Sequence, residues 1–264
     1  MKKLHKLLTS TVVSLSIMSG FVMAETAQEK GLAIAKERKA RDIGWGDSTA
    51  KAEMILRNAK GDETVRKMKI KALEVSGDGD KALTIFQQPR DVKGTAFLSF
   101  SHAVKSDEQW MYLPALKRVK RIASRNKSGP FMGSEFAFED LSSFEIEKYT
   151  YKYLKDETVN GELCFVVELD PVDKNSGYTR QLIWVDQSHY RAQKVEFYDR
   201  KNSLLKTLTM SGYKLHLDKF WRANKQNMVN NQTKKSTDYI IHDLAFNKGL
   251  SEKDFNKATL KRAK

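Results

Sequence analysis

The sequence predicts a mainly β protein: a curved antiparallel sheet with short α-helices packed in its concave face. Two observations carry that expectation. Beyond about residue 50, apolar and polar residues alternate with a period of two through most of the chain, the spacing of strands that bury one face. Short turn signals separate these segments, and only four prolines and no Ser- or Gly-rich linker interrupt them, so successive strands are antiparallel neighbours in one domain.

The elements follow in order. Residues 27–41 predict a helix whose Leu32, Ala35 and Ile43 share a face. Strands are expected at 52–59, 64–75, 81–87, 94–103, 109–113 and 117–123, with turns at Gly61-Asp62, at Gly77-Asp78-Gly79-Asp80 and at Lys105-Ser106-Asp107. Residues 133–147 break the alternation with a helical or irregular segment whose Phe136, Phe138, Leu141 and Phe144 can point back at a sheet. Strands resume at 149–158, 163–170, 179–186, 191–198, 204–217, 221–230 and 236–246. Asn160-Gly161 marks a tight hairpin, because both residue types tolerate positive φ, and Arg200-Lys201-Asn202 marks another. Ser251 and Asp254 cap a short closing helix. Ala96, Leu98 and Phe100 share one face, as do Leu163, Phe165, Val167 and Leu169, and Leu182 and Trp184 are similarly phased; Ser99, Ser101 and Gln181 lie opposite. So many strands curl into a barrel, split into a sandwich or bend around something in the concavity. One apolar face plus short helices with apolar stripes favours the last, with ligand space between sheet and helices.

The first residues bear on compartment. Lys2, Lys3 and Lys6 form a basic region, residues 7–21 an apolar one, and Val22-Met23-Ala24 a small-residue cleavage site. This is the pattern of an export signal, so residues 1–24 are expected to be removed and residues 25–264 to form a single domain. The chain has 47 basic and 33 acidic residues, a net charge of +14. Export directs that excess toward anionic lipid headgroups, lipopolysaccharide, a membrane surface or an acidic partner rather than nucleic acid, unless it only decorates sheet edges and solvent-facing strand positions. One cysteine, Cys164, excludes an internal disulfide and fits a buried small hydrophobe.

Catalytic chemistry is not written here. H-E-x-x-H, G-x-S-x-G, Walker and C-x-x-C motifs are absent, and His102, His189, His216 and His242 stand apart in the sequence. No enzyme activity, cofactor or metal is therefore expected. Asp78 and Asp80 fit a solvated hairpin loop, and Glu139-Asp140 a helix start.

Residues 110–141 are the most informative stretch, with aromatic surface beside a cationic rim. Trp110, Tyr112, Phe136, Phe138 and Trp184 are candidate walls of an apolar cavity, against the competing reading of plain core. Phe131 and Met132 are candidate lid tips on a hinge at 128–133, or anchors of that segment on the core. Lys117, Arg118, Lys120 and Arg121 suit a phosphate or headgroup, an acidic partner, or strand-edge solubility.

The blocks W-M-Y-L-P-A-L-K-R-V-K-R-I from Trp110, F-M-G-S-E-F-A-F-E-D-L from Phe131 and Y-T-R-Q-L-I-W-V-D from Tyr178 resemble the bacterial outer membrane lipoprotein-sorting proteins, distant relatives of the carrier LolA. So do Y-R-A-Q-K-V-E-F-Y-D from Tyr190, L-L-K-T-L from Leu204, Q-Q-P-R-D-V-K-G-T from Gln87 and D-F-N-K-A-T-L-K-R from Asp254. The resemblance implies a LolA-like incomplete antiparallel β-barrel, its open side plugged by helices around an apolar cavity. It implies a soluble periplasmic carrier of a lipid or lipoprotein acyl chain, or a non-transporting accessory protein docked on an inner-membrane exporter of the RND type. Hiding a sixteen-carbon chain from water is worth about 12 kcal/mol, at ~0.8 kcal/mol per methylene. A carrier must offset most of that and still release, which calls for an adaptable lining and a movable cover.

Overall fold

The computed structural model describes residues 25–262, and the expected signal at residues 1–24 lies outside the described residues. Among the described residues one helix, α1 (Ala27–Ala40), precedes the strands β1 (Asp47–Arg57), β2 (Glu63–Leu73), β3 (Lys81–Gln88), β4 (Ala96–Phe100), β5 (Glu108–Leu113) and β6 (Arg118–Ile122). An irregular stretch containing four short 3-10 turns then leads to β7 (Tyr149–Val159), β8 (Glu162–Pro171), β9 (Tyr178–Asp186), β10 (Ala192–Asp199), β11 (Leu204–His216), β12 (Phe220–Asn230) and β13 (Ser236–Phe246). Each expected strand is present, with β4 shortened to five residues.

All thirteen strands belong to one antiparallel sheet in the order β6-β5-β4-β3-β2-β1-β13-β12-β11-β10-β9-β8-β7. The sheet is not closed: its edges are β6 and β7, which are consecutive in sequence. The first and last strands pair in its middle, from Ser48 opposite Phe246 to Arg57 opposite Ser236. Every other pairing joins strands adjacent in sequence, so one long-range pairing turns two meanders into one sheet. Residues 123–148 must then travel from one edge to the other, and they do so across the concave side as a strap.

Local chemistry explains the connections. Asn160 and Gly161 have φ of 54° and 82°, the left-handed pair of a type I′ hairpin whose twist matches its strands. Asn202 is also left-handed, at φ 59°, and the Asp199 carboxylate accepts from the backbone N–H groups of Lys201 and Ser203. Thr26 caps α1: its hydroxyl accepts from Glu29 N at 3.2 Å while the Glu29 carboxylate accepts from Thr26 N at 2.9 Å. Ser251 and Asp254 form a similar capping box at the closing 3-10 turn.

The sheet buries apolar residues on both faces, more than the alternation suggested. On the concave side Met54, Met68, Phe86, Phe97, Val167 and Met228 meet Ile34 and Ala35 of α1 and Phe131 and Phe136 of the strap. Ala96 and Leu98 face the other way with Leu83, Ile85 and Trp110, where the C-terminal segment covers them with Phe255 and Leu260. A second convex cluster holds Cys164, Val166 and Trp184. Ser99 and Ser101, expected on an open polar face, are 1% and 3% exposed, because the strap lies over them: Ser143 N donates to the Ser101 hydroxyl. Likewise Phe165, Val167 and Leu169 point inward while Leu182 and Trp184 point outward.

The buried stripe of α1 is Gly31, Ile34 and Ala35, with the expected Leu32 packed partly against the same core; of the expected set Ile43 fails, lying beyond the helix and 51% exposed. Gly31 is there for close approach, since a Cβ on it would stand 2.8 Å from Tyr153 N and 2.9 Å from Lys152 N, backbone atoms of β7. Alanine would raise intrinsic helix propensity by about 1 kcal/mol, but here the helix must shift, an overpacking cost of roughly 1–3 kcal/mol. Gly31→Ala should lower the thermal unfolding midpoint; an unchanged or higher midpoint by circular dichroism would show that α1 does not seat this closely.

Candidate functional site

The strap is held by its aromatic residues and by buried polar ties. Phe131 N donates to Phe136 O at 2.7 Å, and between them Met132 and Gly133 reverse the chain with φ of 50° and 76°. That tight loop drives Phe131 into the sheet, with its ring centroid 5.1 Å from that of Phe97 and 5.8 Å from that of Phe86. Next, Asp140 accepts from Ala137 N at 2.7 Å, from the Tyr178 hydroxyl at 2.7 Å and from the Lys206 ammonium at 2.6 Å. Lys206 also donates to Glu135 O. The Asp140 and Lys206 side chains are 5% and 4% exposed, so Asp140 both caps the 3-10 turn Phe138–Leu141, as expected, and forms a charged bolt between strap and β11. Burial, reinforced by Asp140 and Glu139, holds the Tyr178 phenol well above its usual pKa, so it remains a donor. Glu139 accepts from Ser176 Oγ and Gly177 N, and burial raises its pKa against those two hydrogen bonds.

Sheet, strap and α1 do not fill the concavity. Two adjoining cavities remain, of about 530 Å³ and about 850 Å³. The smaller is lined on its sheet side by Leu169, Ile183, Val195, Phe197 and Leu208, and on its strap side by Phe136 and the charged Lys127, Glu139, Asp140, Glu147 and Lys148. The larger opens beyond the C-terminal end of α1, among Trp45, Met210, Tyr213 and Trp221 and a ring of basic side chains. Arg38, Ser142, Ser143 and Phe144 line both and form the partition. Volumes of roughly 300–1,000 Å³ are usual for ligand pockets.

Of the seven expected wall and lid residues, Phe136 lines a cavity. Phe131 and Phe138 pack in the concave core, and Phe131 is 1% exposed, an anchor position rather than a lid tip. Met132 packs partly against the same core while its carbonyl accepts from Arg66. Trp110 and Tyr112 lie on the convex face under the C-terminal segment, because Met111 takes the inward position on β5. Trp184 is convex as well, with Lys194 Nζ 3.5 Å from its ring centroid; Ile183 and Val185 take the inward positions. Alternation showed that one residue in two faces inward but not which face is hollow. Lys117, Arg118, Lys120 and Arg121 sit in or just before edge strand β6, exposed and outside both cavities. Basic residues do line the larger cavity, but they are Arg38 and Lys39 of α1, Arg41 just past it, Arg191 in the turn before β10, Lys219 in the turn before β12, and Arg222 of β12.

The Gly-Asp turn is a hairpin loop exposed at Ser76 and Gly77, as expected, but its acids are tied down. Asp78 accepts from Ala103 N at 2.7 Å and lies 2.7 Å from His102 Nδ1, contacts that lower its pKa to about 2. Asp80 lines the larger cavity, and its backbone N–H donates to Ser143 Oγ of the strap. Burial, with Glu145 and Glu74 nearby, pushes its carboxyl up to about 6 against the pull of Lys39 and Val75 N. Among the described residues no group of three or more His, Cys, Asp or Glu could hold a metal ion, and no helix is long and apolar enough to cross a membrane.

An open antiparallel sheet, plugged by a helix and an irregular strap beside two partly open cavities, has a LolA-like half-barrel fold. A solved LolA superfamily protein from Nitrosomonas europaea superposes with a TM-score of 0.69 at 20% identity, over 88% of this chain and 98% of that one. A DUF1329 family protein from Desulfovibrio piger gives 0.84 at 26% identity over 89% and 99%. A Vibrio parahaemolyticus structure described as an outer membrane lipoprotein-sorting protein domain gives 0.88 at 66% identity over 89% and 100%. A family model described as an uncharacterized protein matches residues 78–262, and no curated protein matches the chain. The chain belongs to the outer membrane lipoprotein-sorting protein family.

Two outcomes follow from the buried charges. Lys206→Met strands Asp140 in the interior and should cost about 3–5 kcal/mol, read by urea denaturation; adding Asp140→Asn should recover part of that loss. A cost below about 1 kcal/mol, the range of exposed pairs, would contradict the bolt. The raised Asp80 pKa means the folded state holds an extra proton between the ordinary 3.8 and about 6. Stability from this group is therefore full below that window and falls as pH rises through it. Asp80→Asn should raise the unfolding midpoint relative to the parent at pH 7 but not at pH 4; an equal effect at both would refute the assignment.

Proposed function

We propose that the protein is a periplasmic carrier that shelters the acyl chain of a lipid or lipoprotein during transfer between envelope membranes, with residues 1–24 as a cleaved export signal and residues 25–264 as its single domain. The observation that carries this reading is the pair of adjoining cavities within the half-barrel, the smaller with an apolar sheet wall. The description of the Vibrio relative as an outer membrane lipoprotein-sorting protein domain supports the same reading. A void is costly to maintain, since protein interiors otherwise pack to crystal-like density. Here its walls combine Leu, Ile, Val and Phe with polar groups that hold one another in hydrogen bonds, so it can exist empty and accept a hydrocarbon.

The exposed cations of β6, lying away from both cavities, favour a second reading: a docking protein for an acidic partner such as an RND-type exporter. One experiment separates the two. Native mass spectrometry of protein purified without detergent should show a co-purified lipid mass, and delipidated protein should take up a fluorescent fatty acid stoichiometrically. Leu208→Trp, which places an indole in the smaller cavity, should abolish uptake and leave the thermal midpoint within a few degrees. No bound lipid and no uptake by a folded sample would remove the carrier reading and leave only docking.

A further inference from the structure

Arg38 is a cation on the inward face of α1. It falls seven residues after Gly31 and four after Ile34, in line with the helix's buried stripe, where side chains project onto the core. Its guanidinium carbon lies 4.4 Å from the ring centroid of Phe144, and it lines both cavities at the partition between them. Burial lowers its pKa, with Tyr213, Asp42, Tyr151 and Tyr149 pulling the other way, yet an arginine stays charged in any protein setting.

The basic neighbours around the larger cavity are already engaged. Lys39 pairs with Glu145 at 2.9 Å, Arg41 with Glu37 at 2.8 Å and Arg191 with Asp186 at 2.8 Å. Arg222 pairs with Asp42, the acid nearest in charge to Arg38, and Lys219 donates to Ile43 O. Arg38, by contrast, has an aromatic face for company and, among the described residues, makes no ion pair with a carboxylate. An unpaired charge in a partly desolvated site is costly, and an incoming anion removes that cost. The guanidinium's planar fork of donors matches a carboxylate or phosphate in two-point fashion.

Resting on the carrier reading, we propose that Arg38 anchors the anionic headgroup, carboxylate or phosphate, of an amphiphile whose tail passes Phe144 into the smaller cavity. Head and tail are then sorted by the partition. The cationic chamber takes the charge, and the wall of Ile183, Val195, Phe197 and Leu208 takes the hydrocarbon. The site thereby distinguishes anionic from neutral lipids.

The test compares palmitate, hexadecyl phosphate, hexadecanol and inorganic phosphate for displacement of a fluorescent acyl probe from delipidated full-length protein. Palmitate and hexadecyl phosphate should bind about tenfold or more tightly than hexadecanol, the increment of a charged hydrogen-bonded contact. Arg38→Met should erase that gap while hexadecanol binding holds, and Arg38→Lys should retain part of it. Equal binding of palmitate and hexadecanol by the parent, or a gap that survives Arg38→Met, would overturn the anchor and leave the carrier reading intact. Should Arg38→Met fail to fold, Arg38→Lys and the comparison of ligands on the parent decide. Inorganic phosphate binding as tightly as hexadecyl phosphate would overturn the headgroup assignment in favour of a free-anion site, and failure of every amphiphile would refute the carrier itself.

Discussion

A sheet that bends but does not close must cover its concave apolar face with something other than itself. Thirteen strands curl far enough that Met111 on β5 and Tyr151 on β7, strands near or at opposite edges, share one core. The strap and α1 have to fill what lies between. The strap has to span the distance between the two edges in the residues available, so it runs as extended chain broken by 3-10 turns. Such a chain cannot present the continuous apolar stripe of a long helix, and the concavity stays partly hollow as a consequence.

The same geometry explains why the interior is amphiphilic. An irregular backbone carries donors and acceptors that no ladder satisfies, and here side chains meet them: Gln109 donates to Phe138 O, Thr237 accepts from Glu135 N, and Lys206 donates to Glu135 O. Charges such as Asp140, Glu139 and Lys206 thus come to lie inside a largely apolar half-barrel. The partition between the cavities follows suit, with Phe144 presenting an aromatic face on the strap and Arg38 a cation on α1. On the proposed carrier reading, an apolar sheet wall beside a mainly cationic chamber suits a molecule that is itself divided into tail and head.

Much of the architecture was legible in the chain. The thirteen strands, the helix at its start, the irregular segment after β6, the Asn160-Gly161 hairpin and the Ser251/Asp254 cap all follow from local chemistry that operates over a few residues. The site was much less so. Trp110, Tyr112 and Trp184 look like cavity walls because they are large and apolar, yet β5 and β9 turn them outward, where the C-terminal segment covers the first two and Lys194 lies over the third. Arg38 is one basic residue among many in the sequence, and only its spacing from Ile34 and Ala35 marks it as inward-facing.

The sequence by itself determined the periodicities, the turns and the family resemblance, because each depends on residues near one another along the chain or on blocks of residue identity. Only the tertiary structure decided which face of each strand is hollow, which cations are paired and where the void lies. Those depend on the single pairing of β1 with β13 and on the strap crossing between the sheet's edges. Both bring together residues a hundred or more positions apart, a separation that no local spacing records.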